Sequence, residues 1–349
     1  MNMKKPTMHL RASLIAIAVS LGLAGCGGGG TSQLSTDVGT VNADFQVIEI
    51  ATGVRQSRSA VPDLATNSAY KTTHLVFRAV AAGTTTIGQT AGSFGVQTGD
   101  GESATSATLP RFYVGVFEVT QGQWARLGGS DTWTAVTTTL VGPSAVVAEK
   151  PAFGLSWSGI TTTLSAYNSG KTISLALPSD AQWEKACRAG SSSLFAWGDA
   201  RDDATVTTYA QVWETSAGAL GPRAVGSKTA NAGILYDMHG NVSEHTLDQY
   251  LPDAYAKIQD KATSPWNPPV TRHPTVFRGG NWNADAAAQR SATRGQTSTD
   301  LKIQDPQIPK SIWYYTDAPW LGFRIVRPLK TPSVEEMHKA WNQGPGDSE

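Results

Sequence analysis

Gly233-Ile234-Leu235-Tyr236-Asp237-Met238-His239-Gly240-Asn241-Val242-Ser243-Glu244-His245 is the stretch on which the reading of this chain turns. A short apolar run, Ile234 to Tyr236, breaks into a Gly-Asn turn with a carboxylate on either side. Asp237 and Glu244, with the backbone carbonyls between them, are hard oxygen donors of the kind Ca²⁺ takes. The same residues suit a tight turn in which Asp237 bonds nearby amides and Glu244 opens the next segment. Spacing alone leaves both readings open.

Far upstream, Lys4, Lys5 and Arg11 precede an apolar run from Leu14 to Leu23, and Leu23-Ala24-Gly25-Cys26 closes it. That order reads as an export signal over residues 1–26. A cysteine in the closing position resembles a bacterial lipobox, which implies lipidation of Cys26 and anchorage in the cell envelope, at the outer membrane. The apolar run falls short of the roughly 20 residues that a membrane-spanning helix needs. Residues 27–40, rich in Gly and Ser, read as a flexible tether. Removing the signal takes three basic and no acidic side chains from a balance of 28 against 28, leaving a net charge of −3. Nucleic acid calls for a basic face, so it is excluded as a partner. With Cys26 acylated, Cys187 has no partner for a disulfide within the exported chain. Eleven Trp residues imply a large core or an aromatic-lined cleft.

The runs Phe45–Ile50, His74–Val80, Phe112–Val119, Tyr209–Trp213 and Leu321–Val326 read as strands, being β-branched and aromatic, and Val276–Trp282 reads as a strand into a glycine turn. Ala51–Lys71 and Pro252–His273 read as loops. Thr120 with Gln123, and Ser179 with Gln182, each form a capping box that opens a helix; the second runs to Ala189 with Gly190 beyond it. A helix from Ser156 would bury Ile160, Leu164 and Tyr167. Cys187 lies on the inner face of the Ser179 helix and reads as a small buried hydrophobe. Pro332-Ser333 and Glu336 open a short helix in the tail.

Taken in order, Phe112–Val119-Thr120, Leu177-Pro178-Ser179-Asp180-Ala181-Gln182-Trp183-Glu184, Phe195-Ala196-Trp197-Gly198, Leu235–Glu244, Arg278-Gly279-Gly280-Asn281-Trp282 and Gly322-Phe323-Arg324 resemble the formylglycine-generating enzyme (sulfatase-modifying factor) family. The resemblance implies a single compact α+β domain, related to the C-type-lectin-like fold and rich in irregular backbone. It divides the chain into a 41–71 extension carrying a strand and a loop, a domain over 72–328, and a tail over 329–349. It also implies Ca²⁺ held by the Asp237 and Glu244 side chains and the Gly240 and Val242 carbonyls. A second calcium position near Gln211 and Val212 lacks its acidic partner. Ser243 and His245 replace the two Trp that flank the Glu in the family.

The family's oxidase uses O₂ and a copper ion held by two cysteines placed after the Arg-Gly-Gly strand. Arg278 to Arg327 contains none. Cu(I) selects soft thiolates, so no copper is expected here and the oxidase activity is disfavoured. His239 and His245 with a neighbouring carboxylate could ligate iron, although the spacing matches no known metal motif, and both are expected near the surface of the turn. Gly-x-Ser-x-Gly is absent. The leading reading is a lipid-anchored, non-catalytic domain that binds a protein or small-molecule ligand in the envelope. Its cleft would be built from Asn281, Trp282, Arg290, Arg294, Trp313, Tyr315 and Trp320, since aromatics and Arg dominate recognition surfaces. Alternatives are a metal-dependent oxidase with an altered site, a diversified lectin-like variable protein, and a structural component of an envelope assembly.

Overall fold

The apolar runs near the two ends of the described chain meet in one sheet. The computed structural model describes residues 43–90, 92–96, 101–133, 147–171, 173–214, 221–258, 262–302 and 318–328. Cys26, the tether, Trp313, Tyr315 and the tail helix lie outside them. In chain order the elements begin with β1 (Phe45–Glu49), β2 (Arg55–Arg58), α1 (Ala69–Thr72), β3 (His74–Val80), β4 (Gly83–Ile87), β5 (Thr105–Leu109) and β6 (Phe112–Gly115). Next come α2 (Gln121–Leu127), α3 (Trp157–Ser169), α4 (Asp180–Arg188), α5 (Asp203–Tyr209), β7 (Ser243–Gln249), α6 (Ala254–Lys257) and β8 (Ala262–Thr263). The last are β9 (Thr275–Arg278), β10 (Gly295–Gln296), β11 (Leu321–Phe323) and β12 (Val326–Pro328).

The first sheet has the order β12-β6-β3-β1-β2. Alternation along β3 sorts its two faces: Leu75 and Phe77 enter the main core, while Val76 joins Phe45, Val47 and Phe117 on the other side. β1 lies between β3 and β2, so the segment read as an extension is woven into the sheet. A second sheet, β10-β9-β7-β11, sets β7 parallel to β11 and antiparallel to β9. A small third sheet has the order β4-β5-β8.

Both capping boxes form: Thr120 and Ser179 accept from the backbone N–H of Gln123 and Gln182, whose side chains accept in return. Ser156 caps α3, which buries Ile160, Leu164 and Tyr167 as its spacing requires. Ala189, rather than Gly190 alone, takes the left-handed conformation at the end of α4.

Several expected boundaries change. Tyr209 ends a helix rather than starting a strand, because Asp202 caps α5 through the Thr205 N–H. Ala51–Lys71 contains β2 and α1, and Pro252–His273 contains α6 and β8. The run from Phe112 stops as a strand at Gly115, after which Val116 N–H bonds Val76 and Val119 N–H bonds Phe323. The Leu321–Val326 run splits between β11 and β12, whereas β9 ends at Arg278, where the glycine turn was expected. Among the described residues, no helix is long and apolar enough to cross a membrane.

Candidate functional site

Four residues between Ile234 and Asn241 have positive φ: Ile234, Asp237, Gly240 and Asn241. At Gly240 only glycine fits, since a Cβ would stand 2.3 Å from the Gln211 carbonyl oxygen. The turn is stitched down by Gly240 N–H to Gly279 O (2.8 Å) and Asn241 N–H to Gln211 O (2.9 Å). Below it sits Glu118, whose Oε1 accepts from Val242 N–H (2.9 Å) and whose Oε2 accepts from Asn241 Nδ2 (2.6 Å). Asp237 Oδ2 accepts from Gly226 N–H at 2.6 Å.

Glu244 is closed from two directions. Trp183 Nε1 donates to Oε2 at 2.6 Å, and Arg324 donates from Nη2 to Oε1 at 2.7 Å and from Nε to both oxygens. Arg324 also donates to the carbonyls of Gly115 and Tyr236. Three buried carboxylates, Glu118, Asp237 and Glu244, therefore share one guanidinium. Burial, with Asp237 and Glu244 nearby, drives the Glu118 carboxyl well above its usual range, and burial pushes Asp237 up to about 6.

This arrangement does not fit the calcium cage that the resemblance implied. Ca²⁺ takes about six to eight oxygens, yet both oxygens of Glu244 are committed to donors and a guanidinium stands where a second cation would be repelled. Asp237, Gly240 and Val242 do meet in the turn, but without an open Glu244 they supply too few ligands. Among the described residues, no three His, Cys, Asp or Glu side chains converge as a metal cluster.

The two histidines are buried, not near the surface as expected. His239 places Nδ1 against the Gln289 carbonyl (2.5 Å), while Nε2 accepts from Ala196 N–H (3.1 Å) and lies 3.5 Å from Cys187 Sγ. His245 Nε2 donates to Leu155 O. Burial holds both rings at about 4, so both are neutral near pH 7. Burial likewise pushes the Cys187 thiol up to about 12, which removes it as a nucleophile.

The residues expected on an open cleft are mostly interior. Arg294 Nε donates to Asp180 at 2.7 Å, and Arg278 joins the same carboxylate while reaching Glu184 at 2.7 Å. Arg290 grips Glu102 through both terminal nitrogens, at 2.6 and 3.1 Å. Trp282 is 1% exposed, and Asn281 donates to Ser243 Oγ. Trp320 alone of the described set is half-buried, edge-on to Phe277. For the two arginines the reason is the same: buried carboxylates draw in guanidiniums, Asp180 on α4 for Arg294 and Glu102 for Arg290. Sequence gave no hint of these partners, which lie more than a hundred residues away.

A cavity missed at the sequence level opens beside the turn. It holds about 190 Å³ and is lined by Trp197, Tyr209, Leu235, Asp237, Met238 and His239, among others. Its signals were the Phe195-Ala196-Trp197 run and the positive-φ turn, neither of which marks a cavity by itself. A second hollow of about 370 Å³ lies between the β3–β4 connection and the end of α4.

A family model described as the sulfatase-modifying factor enzyme 1-like domain matches residues 65–329. A formylglycine-generating enzyme from Mycobacterium tuberculosis is 34% identical over 84 residues, covering 22% of this chain and 28% of that protein. The chain thus matches little more than a quarter of that relative's length. Among solved structures, PvdO from Pseudomonas aeruginosa aligns with a TM-score of 0.56 at 21% identity, over 73% of this chain and 94% of that one. Treponema denticola variable protein 1 aligns with a TM-score of 0.52 at 18% identity, over 73% and 96%. At these identities the likeness is one of fold.

Proposed function

The chain belongs to the sulfatase-modifying factor enzyme 1-like domain family, and from that premise we propose that it is a non-catalytic binding member, held to the bacterial cell envelope by a lipid on Cys26. One observation carries the non-catalytic part. The chain has two cysteines, and the one within the domain, Cys187, is buried with its thiol pushed up to about 12. No thiolate pair follows the Arg278-Gly279-Gly280 turn to hold copper. The residues nearest that turn, Asn281, Trp282 and Gln289, are buried and serve the scaffold.

The test is direct. The purified protein, supplied with copper and oxygen, is expected to leave a cysteine-containing peptide unchanged by mass spectrometry. Conversion of the cysteine to an aldehyde would restore the altered-oxidase reading. For the anchor, Cys26→Ala is expected to move the protein from the membrane fraction to the soluble fraction. Retention in the membrane would sink lipidation.

A further inference from the structure

We propose that the hollow between the β3–β4 connection and α4 takes a short extended peptide bearing a carboxylate, laid along the outer edge of β4 with Lys185 as its counter-ion. The assignment gives the binder reading a ligand class, and it rests on that reading.

β4 is the margin of its sheet: it pairs with β5 and, among the described residues, with no strand on its other side. In an antiparallel pair a carbonyl points either at the partner strand or away from it. Gly83 O accepts from Lys185 Nζ on α4 at 2.8 Å, which puts that carbonyl on the outer side. Thr85, two residues on, shares the side, and among the described residues no backbone bond outside the β4–β5 pairing reaches it. An open edge of this kind is a template for one more strand.

The hollow runs along that edge. Gly83, Thr84 and Thr85 line it from β4, and Lys185, Ala189 and Gly190 line it from the end of α4. A Cβ built on Gly83 or on Gly190 would meet nothing within 4 Å, so there is open space at both walls. The rest of the lining is mostly alanine and glycine, which lets a second backbone come close. The volume, about 370 Å³, falls within the roughly 300–1,000 Å³ of ligand sites.

Charge selects the kind of peptide. No Asp or Glu lines the hollow, and its two cations are Arg78 and Lys185. Arg78 is already paired, with Asp44 at 3.2 Å. Lys185 Nζ is placed at the wall by its bond to Gly83, itself a lining residue. An ammonium has three N–H donors, and that carbonyl takes one. Burial holds the ammonium below the usual lysine range, and no carboxylate is placed to raise it again. A carboxylate arriving with the peptide would supply the missing partner through a charge-assisted hydrogen bond.

The experiment titrates the full-length chain, in nonionic detergent at pH 7.5, with acetylated tetrapeptides of alanine and threonine, read by calorimetry. One ends in a free carboxylate, one in glutamate amide and one in glutamine amide. The acidic peptides are expected to saturate one site, and the neutral peptide to bind weaker by about tenfold or more, the worth of a hydrogen bond to a charge. Lys185→Met, which keeps a good helix former, should erase that preference. Methylating the peptide's own central backbone nitrogens should weaken binding by a similar factor without touching the protein. Tighter binding of the free carboxylate points to a chain terminus, and of the glutamate amide to an internal acid; either supports the site. Absence of saturation, equal binding of the neutral peptide, indifference to Lys185→Met or indifference to methylation would overturn it. So would succinate binding as tightly as the peptides, which would give the hollow to a small free acid. Conversion of a cysteine peptide with acidic-peptide binding intact would instead overturn the non-catalytic reading alone.

Discussion

Arg324 shows how much of this site depends on single side chains. Its guanidinium lies among Glu118, Asp237 and Glu244, all buried. Arg324→Met leaves Glu244 without its counter-ion and is expected to destabilise the protein by about 3–5 kcal/mol in urea unfolding. Adding Glu244→Gln should recover part of that loss; strict additivity would mean the pair is not coupled. The same closure predicts that Ca²⁺ does not raise the melting temperature. A rise that Glu244→Gln abolishes would mean that Arg324 swings away to admit the ion. Cys187 makes a simpler case. Its buried, raised thiol should resist iodoacetamide in the folded protein and react once guanidinium unfolds it, as read by peptide mass. That Cys187 would be buried was legible from its place on the helix face. Glu118 was not singled out, although a lone charge inside Val116-Phe117-Glu118-Val119 was available as a signal.

β7 and α4 mark the limit of legibility among the elements. The capping boxes at Thr120 and Ser179 were readable because caps are local, their partners lying three residues away. Ser243–Gln249 has no apolar alternation, yet every residue in it is buried. Its partners come from distant chain: Trp157 donates to Thr246 O, Arg324 to Glu244, and Asp180 N–H to Asp248. No local pattern encodes that compensation. Asp248 carries a pH dependence as a result. Burial, with Asp180 beside it, pushes its carboxyl up to about 7, against about 3.9 when unfolded. The folded state therefore holds this proton more tightly, so the contribution is present below about pH 4 and lost as pH rises through 7. Asp248→Asn keeps one acceptor where two N–H groups donate, so it should lower stability overall. It should also remove this downward slope between pH 4 and 7, measured as the difference in melting temperature from the parent protein. An unchanged slope would clear Asp248 of the effect.

Across the whole molecule, the resemblance gave the fold class, and the family match over residues 65–329 lies close to the expected 72–328, yet the sheet takes in a strand ahead of it. β1, assigned to an extension, pairs along both edges and adds Phe45 and Val47 to the cluster that holds Val76 and Phe117. A chain started at residue 72 is therefore expected to lose cooperative unfolding and bind a hydrophobic dye, whereas one started at residue 43 should unfold as the parent does. Normal unfolding of the shorter chain would restore the original boundary. The intended cleft failed at this scale too. Arg290 and Arg294 are spaced like a surface pair, and only the inward turn of α4 and the loop carrying Glu102 shows them to be pillars.

β1 has a mechanical consequence. Its first residue, Phe45, faces Arg58 on one side and Arg78 on the other, so tension applied ahead of Phe45 slides the strand against both neighbours at once. Backbone bonds loaded lengthwise in parallel must rupture together, whereas a strand at a sheet margin can peel open bond by bond. A domain hung from its own N-terminus would meet drag or a pulling partner at a seam held along both edges.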